Sequence, residues 1–419
     1  MKINRRKFIT TSVAGSLAAT MPLSAYTLRG TNSDNPCYTR LDEMIQLPVL
    51  KREWFTTPVI IETLELLRFG DNFLCRVRSK DGAEGISVSN NSQMKSFYPV
   101  FVNRLQAFFI GKDARDLELM LEEVCIYQSN YKFQSLALWV PLATIEFSIL
   151  DMLGRIINKS MGQLIGEIHH PVVSFYQANS ERDISTEETL EHLQQQLADS
   201  KAKALKVKIG GRMGHPEYPP DRTEKLIPLV RKKFGDGMHL YADSNGSYST
   251  EEAIRIGKIL QEYKFEHFEE PVPFDWYEET KQVAEALSIP VAGGEQEASL
   301  HNFRWLIAND ALQIVQPDVY YFGGLIRSVR VARMAEVCGK IYTPHVTSGL
   351  GYLYMMHFIS AIPNAGPYHE FKGYSQGIPF ECKTSTLLSE EGNIKVPTGP
   401  GSGIDIDPDF IKKHDVVKG

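Results

Sequence analysis

The chain has 419 residues, 43% of them hydrophobic and 23% charged, with 31 Gly and 22 Pro. These proportions belong to a folded globular protein and exclude a disordered, collagenous or coiled-coil chain. With 45 basic and 51 acidic residues the net charge is −6, which leaves no basic excess for phosphates and argues against a nucleic-acid partner.

The N-terminus carries Lys2, Arg5, Arg6 and Lys7, then a moderately apolar run from Ile9 to Leu23 that ends in the small residues Ser24 and Ala25. A charged start, a short apolar stretch and a small-residue exit make a signal peptide over residues 1–25. Arg5-Arg6 followed by Lys7-Phe8 points to twin-arginine export and hence a periplasmic location, with no membrane attachment once the signal is removed. Removal takes four basic residues and no acids, leaving 41 basic against 51 acidic, near −10. Residues 26–55 are pattern-poor and read as a linker.

Residues 56–170 read as a small α+β domain. Val59–Leu66 and Phe73–Ser79 alternate as strands, Lys80-Asp81-Gly82 signals a turn, and Leu117, Leu121 and Val124 recur at helical spacing. An apolar helix spans Ala143 to Gly154 and ends near Gly162. From 171 to 385 short apolar runs alternate with amphipathic helices. The strands end near Ile209, Asp243, Glu269, Ala292, Val315, Thr343 and Glu370. The helices are marked by sets such as Thr223, Ile227, Val230 and Phe234, or Leu325, Val329, Ala332 and Ala335. Repeating strand–helix units of this length predict a parallel (β/α) barrel. A doubly wound sheet is disfavoured because no GxGxxG follows the first strand. Residues 386–419 would return to the N-terminal domain.

The polar residues sit where strands hand over to loops, and in a parallel barrel those ends converge on one mouth. Lys206 and Lys208 are two apart and face the same way on a strand. Burial and mutual repulsion would lower their pKa values and supply a neutral amine as base. The bland alternative is an exposed edge strand with both lysines outward. Asp243, Glu269 and Glu295 end the next three strands and would repel one another without a cation between them. Hard oxygen ligands in this number suit Mg²⁺. Asp318 beside His345 would orient the imidazole as a general base, although each could singly be a helix cap or a loop histidine. Glu270 should pair locally or face away, because neighbours on a strand point oppositely. A lysine and a histidine flanking a metal suit proton abstraction beside a carboxylate. The five cysteines, at 37, 75, 125, 338 and 382, form no disulfide framework, zinc knuckle or CxxC motif.

On these residues the chain resembles the enolase superfamily, and within it the mandelate racemase subgroup, over about residues 58–410. The resemblance implies a (β/α)7β TIM-like barrel with an N-terminal α+β capping domain. It implies that Lys208 in Lys206-x-Lys208 is the base and that Lys206 tunes it. Asp243, Glu269 and Glu295 would then bind Mg²⁺, Asp318 and His345 would form the dyad, and Glu370 would bond the substrate carboxylate opposite the metal. The sister muconate-lactonizing group would carry lysine where this chain has Asp318. Homo-oligomers are implied by the same resemblance. Asn245, and Arg212 and His215 in the loop after the base motif, are candidates for substrate contact, with loop packing as the alternative. So are the capping segments 68–72 and 87–95. The expected reaction is dehydration of a small-molecule carboxylate, a sugar acid, to a 2-keto-3-deoxy acid. Racemisation or epimerisation is the alternative, and a non-catalytic carbohydrate-binding barrel the remote one.

Overall fold

The computed structural model describes residues 36–346, 349–372 and 377–419. The expected export signal, residues 1–25, therefore lies outside the described residues.

The capping domain is built on an antiparallel sheet of β1 (Ile61–Phe69), β2 (Asn72–Ser79) and β3 (Glu84–Val88). Ile61, Leu64 and Leu66 of β1 are buried. The C-terminal residues Asp415–Val416 pair antiparallel with the free edge of β1 at Leu67 and Arg68. The helix that starts at Asn91 continues past Val100 through a π-helical turn, Phe101–Leu105, to Phe109, and the set Leu117, Leu121 and Val124 lies on a separate helix, Leu117–Ile126. The long apolar helix spans Leu136–Ile157, beginning earlier than its sequence pattern suggests. It is long and apolar enough to cross a membrane, but most of it is buried inside the protein against β3 and the Asn91–Val100 helix.

The barrel strands are β4 (Val172–Ala178), β5 (Ala204–Lys208), β6 (His239–Asp243), β7 (His267–Glu269), β8 (Val291–Gly293), β9 (Ile314–Val315), β10 (Ile341–Tyr342) and β11 (His369–Phe371). They pair in parallel in sequence order, with β11 against β4. A parallel bridge between Tyr342 and Ala365, with hydrogen bonds from Tyr342 N to Asn364 O and from Gly366 N to Tyr342 O, links β10 to the segment entering β11. A helix follows each strand from β4 to β10, giving the expected (β/α)7β order. Ser185, Ser249 and Ser299 cap three of these helices by accepting backbone N–H bonds.

Two contacts seat the cap on the barrel. Glu146, buried in the Leu136–Ile157 helix, accepts from the backbone N–H groups of Leu325 and Ile326 at the start of the Leu325–Val337 helix. At the end of β3, Val88 donates to Tyr354 Oη and accepts from Tyr320 Oη. The segment after β3 is thereby fixed near the mouth.

The reading of residues 26–55 as a linker needs correction over its described part. Pro36–Gln46 is a helix with Leu41 and Ile45 buried, and Arg52–Trp54 is a short 3-10 turn. Leu41, Met44 and Ile45 form the apolar face on which this helix docks. Part of its hold is polar, through Asp42 to Arg304 and Tyr38 to Asn309.

Candidate active site at the barrel mouth

Strand β5 is buried along its whole length, as a barrel strand covered on both faces must be. Lys206 and Lys208 point inward, which removes the edge-strand alternative. Below them lies a small apolar floor of Tyr176, Ala178, Ala204 and Tyr241. Lys206 Nζ is 2.9 Å from both carboxylate oxygens of Glu269, 3.0 Å from Glu370 and 3.5 Å from Asp243. Lys208 Nζ donates to Asp243 and, at 3.0 Å, to Asn245 Oδ1.

The expected depression of the Lys206 pKa is not found. Burial pulls it down, but the surrounding charges of Glu269, Glu370 and Asp243 outweigh burial and hold the ammonium well above its ordinary value. Repulsion between two lysines loses here to attraction by three carboxylates at shorter range.

Asp243, Glu269 and Glu295 are buried, and each offers a carboxylate oxygen within 4.8 Å of the others. Glu295 Oε2 has no hydrogen-bond donor, although His345 Nε2 is 3.4 Å away. Three convergent hard oxygen donors, one of them orphaned in a buried site, fit a small divalent cation.

His345 stands at the Glu295 side of this set. Its Nδ1 is 2.8 Å from Asp318 Oδ2, and its Nε2 faces Glu295 and, at 3.7 Å, Glu370. Burial lowers the His345 pKa, but Glu295, Glu370 and Asp318 together raise it above the ordinary value. Asp318 does not cap the Leu325–Val337 helix, whose N-cap is Gly324; its Oδ1 accepts from the N–H groups of Tyr320 and Tyr321 in the turn before that helix. Glu370 accepts from Val346 N at 2.9 Å. Burial raises its pKa, but Lys206, Lys372 and His345 overcome burial and keep it ionised.

Three residues of the mouth escaped the sequence reading. Glu270 does not face away. It sits at φ 43°, outside the strand conformation, so the alternation that ends at Glu269 does not apply to it. Its carboxylate accepts from Asn245 Nδ2 at 2.9 Å, and Asn245 also reaches Glu295 at 3.4 Å. Burial, then Glu295 and Asp243, push Glu270 well above the usual carboxylate range. Arg182, in the loop after β4, is buried and donates to Asn245 Oδ1 and to Ile209 O. No motif marks it in the sequence. Lys372 lies 3.2 Å from His345 Nε2 and 3.3 Å from Glu370. It stands two residues after Glu370, so the same-face argument that found Lys206 and Lys208 would have found it.

Asn245 is thus at the centre of the mouth. Arg212 and His215 are not brought there: both are exposed, and neither side chain makes a hydrogen bond or ion pair with the described residues. Of the capping segments, 87–95 comes close. Gln93 and Asn90 stand beside Tyr321 and pull its hydroxyl pKa down against the larger upward effect of burial, and the Tyr321 ring is 6.1 Å from that of His345. The turn 68–72 closes the β1–β2 hairpin, where Arg68 bonds Gly70 O.

Residues 188–410 match the family model described as enolase C-terminal domain-like. The chain belongs to the enolase superfamily, in its mandelate racemase subgroup. A putative racemase from Roseobacter denitrificans is 31% identical, with a TM-score of 0.78 over 85% of this chain and 99% of that one. A mandelate racemase/muconate lactonizing protein from Paracoccus denitrificans, solved with magnesium, is 22% identical, with a TM-score of 0.76 over 86% of this chain and 99% of that one. Arabinonate dehydratase of Saccharolobus solfataricus is 22% identical over 304 residues, 72% of this chain and 79% of that protein. The superfamily member described here is an enzyme, and its mouth places the acidic triad between a lysine and a histidine.

Proposed function

We propose that this enzyme is a Mg²⁺-dependent acid-sugar dehydratase that removes the proton beside a substrate carboxylate. The observation that carries the reading is the placement of two bases at opposite ends of one acidic triad. Lys208 contacts Asp243, and His345 faces Glu295. A substrate carboxylate drawn to the triad would present its α-carbon between them. The named dehydratase among the relatives supports this class of chemistry.

Asp243, Glu269 and Glu295 would hold the metal, which when bound neutralises the substrate carboxylate and stabilises the negative charge that develops on it. Lys208 or His345 takes the α-proton, and the C–H electron pair moves into an enediolate. The opposite residue, which enters the reaction already protonated, gives its proton to the β-hydroxyl as the C–O bond breaks. Water leaves, and the enol product tautomerises to a 2-keto-3-deoxy acid. Lys206 contributes a fixed positive charge beside Glu269 and Glu370. Asp318 holds the His345 ring in one orientation.

The opposed bases equally suit a racemase or epimerase, and the substrate decides between them: only a β-hydroxyl permits elimination. A sugar-acid library assayed for keto-acid release, in parallel with exchange of the α-proton in deuterium oxide, separates the two. Keto acid supports dehydration. Exchange with stereoinversion and no keto acid replaces it with epimerisation. Loss of neither reaction in Lys208→Ala and His345→Ala refutes both.

We also propose export to the periplasm on the sequence of residues 1–25, and a homo-oligomer on family grounds. Replacing Arg5 and Arg6 by lysine should retain the enzyme in the cytoplasm, and sedimentation reads the assembly.

A further inference from the structure

We propose that Cys37 and Cys338 form an oxidation site at which a disulfide staples the N-terminal helix to the barrel. Their Sγ atoms lie 3.3 Å apart although 301 residues separate them in sequence. A disulfide needs about 2.05 Å, so closure asks for a shift of about 1 Å.

Both sulfurs sit on docked elements. Cys37 opens the Pro36–Gln46 helix, and Cys338 caps the C-terminus of the Leu325–Val337 helix. The first helix is held at several points. Arg304 pairs with Asp42 at 2.6 Å and lies over the Tyr38 ring at 4.2 Å, and Asn309 donates to Tyr38 Oη. Arg333, on the same helix that ends at Cys338, donates to Leu47 O and Pro48 O just beyond the first helix. The approach of the thiols is therefore imposed by the surrounding packing. The other three cysteines have different neighbours: Cys75 touches Ser148 Oγ, Cys125 bonds Leu121 O, and Cys382 lies near Thr384. Among the described residues no other two sulfurs are in contact.

The oxidant is a small-molecule or protein disulfide. One thiolate of the pair attacks a sulfur of the oxidant and expels a thiolate, forming a mixed disulfide. The second then attacks the first cysteine's sulfur and expels the other half of the oxidant. The pair loses two protons and two electrons, and one oxidant disulfide becomes two thiols. Burial and the Cys37 thiol push the Cys338 thiol up to about 11, against the pull of Lys340 and Arg40. Exchange should thus accelerate as pH rises toward that value. The pair stays reduced in a reducing cytoplasm and closes in an oxidising compartment. That timing rests on the proposed export, whereas the reactivity of the pair does not. Both positions lie away from the catalytic mouth, so the staple serves stability.

The test uses the reduced full-length enzyme, incubated at alkaline pH with oxidised glutathione, quenched by alkylation under denaturing conditions and mapped by mass spectrometry. The expected result is a fall from five alkylatable thiols to three, with one peptide pair joined through Cys37 and Cys338. Cys37→Ser and Cys338→Ser should each retain all remaining thiols. The oxidised wild type should melt about 5 °C above the reduced form, because the bond closes a very long loop. The Cys37→Ser variant should show no oxidant-dependent shift. Five thiols surviving oxidation, separate glutathione adducts on the two cysteines, or a link between a different pair would overturn the proposal.

Discussion

Replacing Asp318 by asparagine isolates the control that one carboxylate exerts over His345. Asp318 has two attachments: Oδ1 accepts from Tyr320 N at 2.7 Å and Tyr321 N at 3.1 Å, and Oδ2 holds His345 Nδ1 at 2.8 Å. In the variant the amide oxygen must stay with the two backbone N–H groups. Turning the amide over would place its NH₂ against them and lose about 2 kcal/mol of hydrogen bonding to the turn. The NH₂ then faces His345 Nδ1 as a donor. A neutral imidazole can accept that bond only with its proton on Nε2, the nitrogen that points toward Glu295 and Glu370. The ring keeps its place but can no longer take a proton at Nε2. An imidazole base trapped in the wrong tautomer loses about 10⁴-fold in kcat, equivalent to about 5 kcal/mol of barrier. The Lys208 face is untouched, so any α-proton exchange that depends on Lys208 should survive. Two assays check this: keto-acid release for kcat, and deuterium incorporation at the α-carbon by NMR. Thermal unfolding should show Asp318→Asn near the wild type, and Asp318→Ala lower because its bonds to the Tyr320 and Tyr321 N–H groups are gone. An Asp318→Asn enzyme within tenfold of wild-type kcat, with an unchanged pH profile, would refute the reasoning.

Asp243→Asn removes a charge from the triad and should weaken Mg²⁺ binding by at least tenfold and abolish turnover. Calorimetry with Mg²⁺ and activity after exhaustive chelation check it, and full activity without metal would exclude the proposed mechanism. Burial raises the Glu146 pKa from 4.5 to about 8 against the pull of the Leu325 and Ile326 N–H groups. The folded state then keeps a proton that the unfolded chain releases. Stability should fall as pH rises from about 4.5 to about 8, by up to about 5 kcal/mol, and level off above. Urea midpoints across that range should slope downward in the wild type and lose the slope in Glu146→Gln; an identical slope would show that other groups set it. Gly324 has φ +118°, and a Cβ there would lie within van der Waals overlap of the Glu146 carboxylate. Gly324→Ala should therefore cost about 3 kcal/mol or more, read as a lowered melting temperature.

Most of the barrel was legible because its signals are local. Alternation along Leu205–Ile209 requires Lys206 and Lys208 to share a face, and that face is interior because the other carries Leu205 and Val207. Asp243 and Glu269 could be placed because each closes a strand in a regular strand–helix count, and Glu295 because it follows the next one closely. Glu270 could not, since its inward turn depends on a positive φ just past the strand end. Arg182 was equally hidden: its side chain reaches Ile209 O and Asn245, and only the closed barrel brings these together. The Pro36–Gln46 helix went unrecognised because part of its hold is polar contact with barrel helices distant in sequence.

The amino-acid sequence by itself determined the alternating strand–helix order, the family, and the residue types at each strand end, since periodicity and strand termini depend on neighbours a few residues away. Tertiary structure alone decided the charge states in the mouth. Lys206 was expected to lose its proton to repulsion by Lys208, yet Glu269, Glu370 and Asp243 close around it and secure its charge. It also decided that Arg212 and His215 stay outside while Glu270, Arg182 and Lys372 come in, and that Cys37 meets Cys338. Coulomb energy and thiol reactivity depend on distance in space, which the order of residues along the chain does not specify.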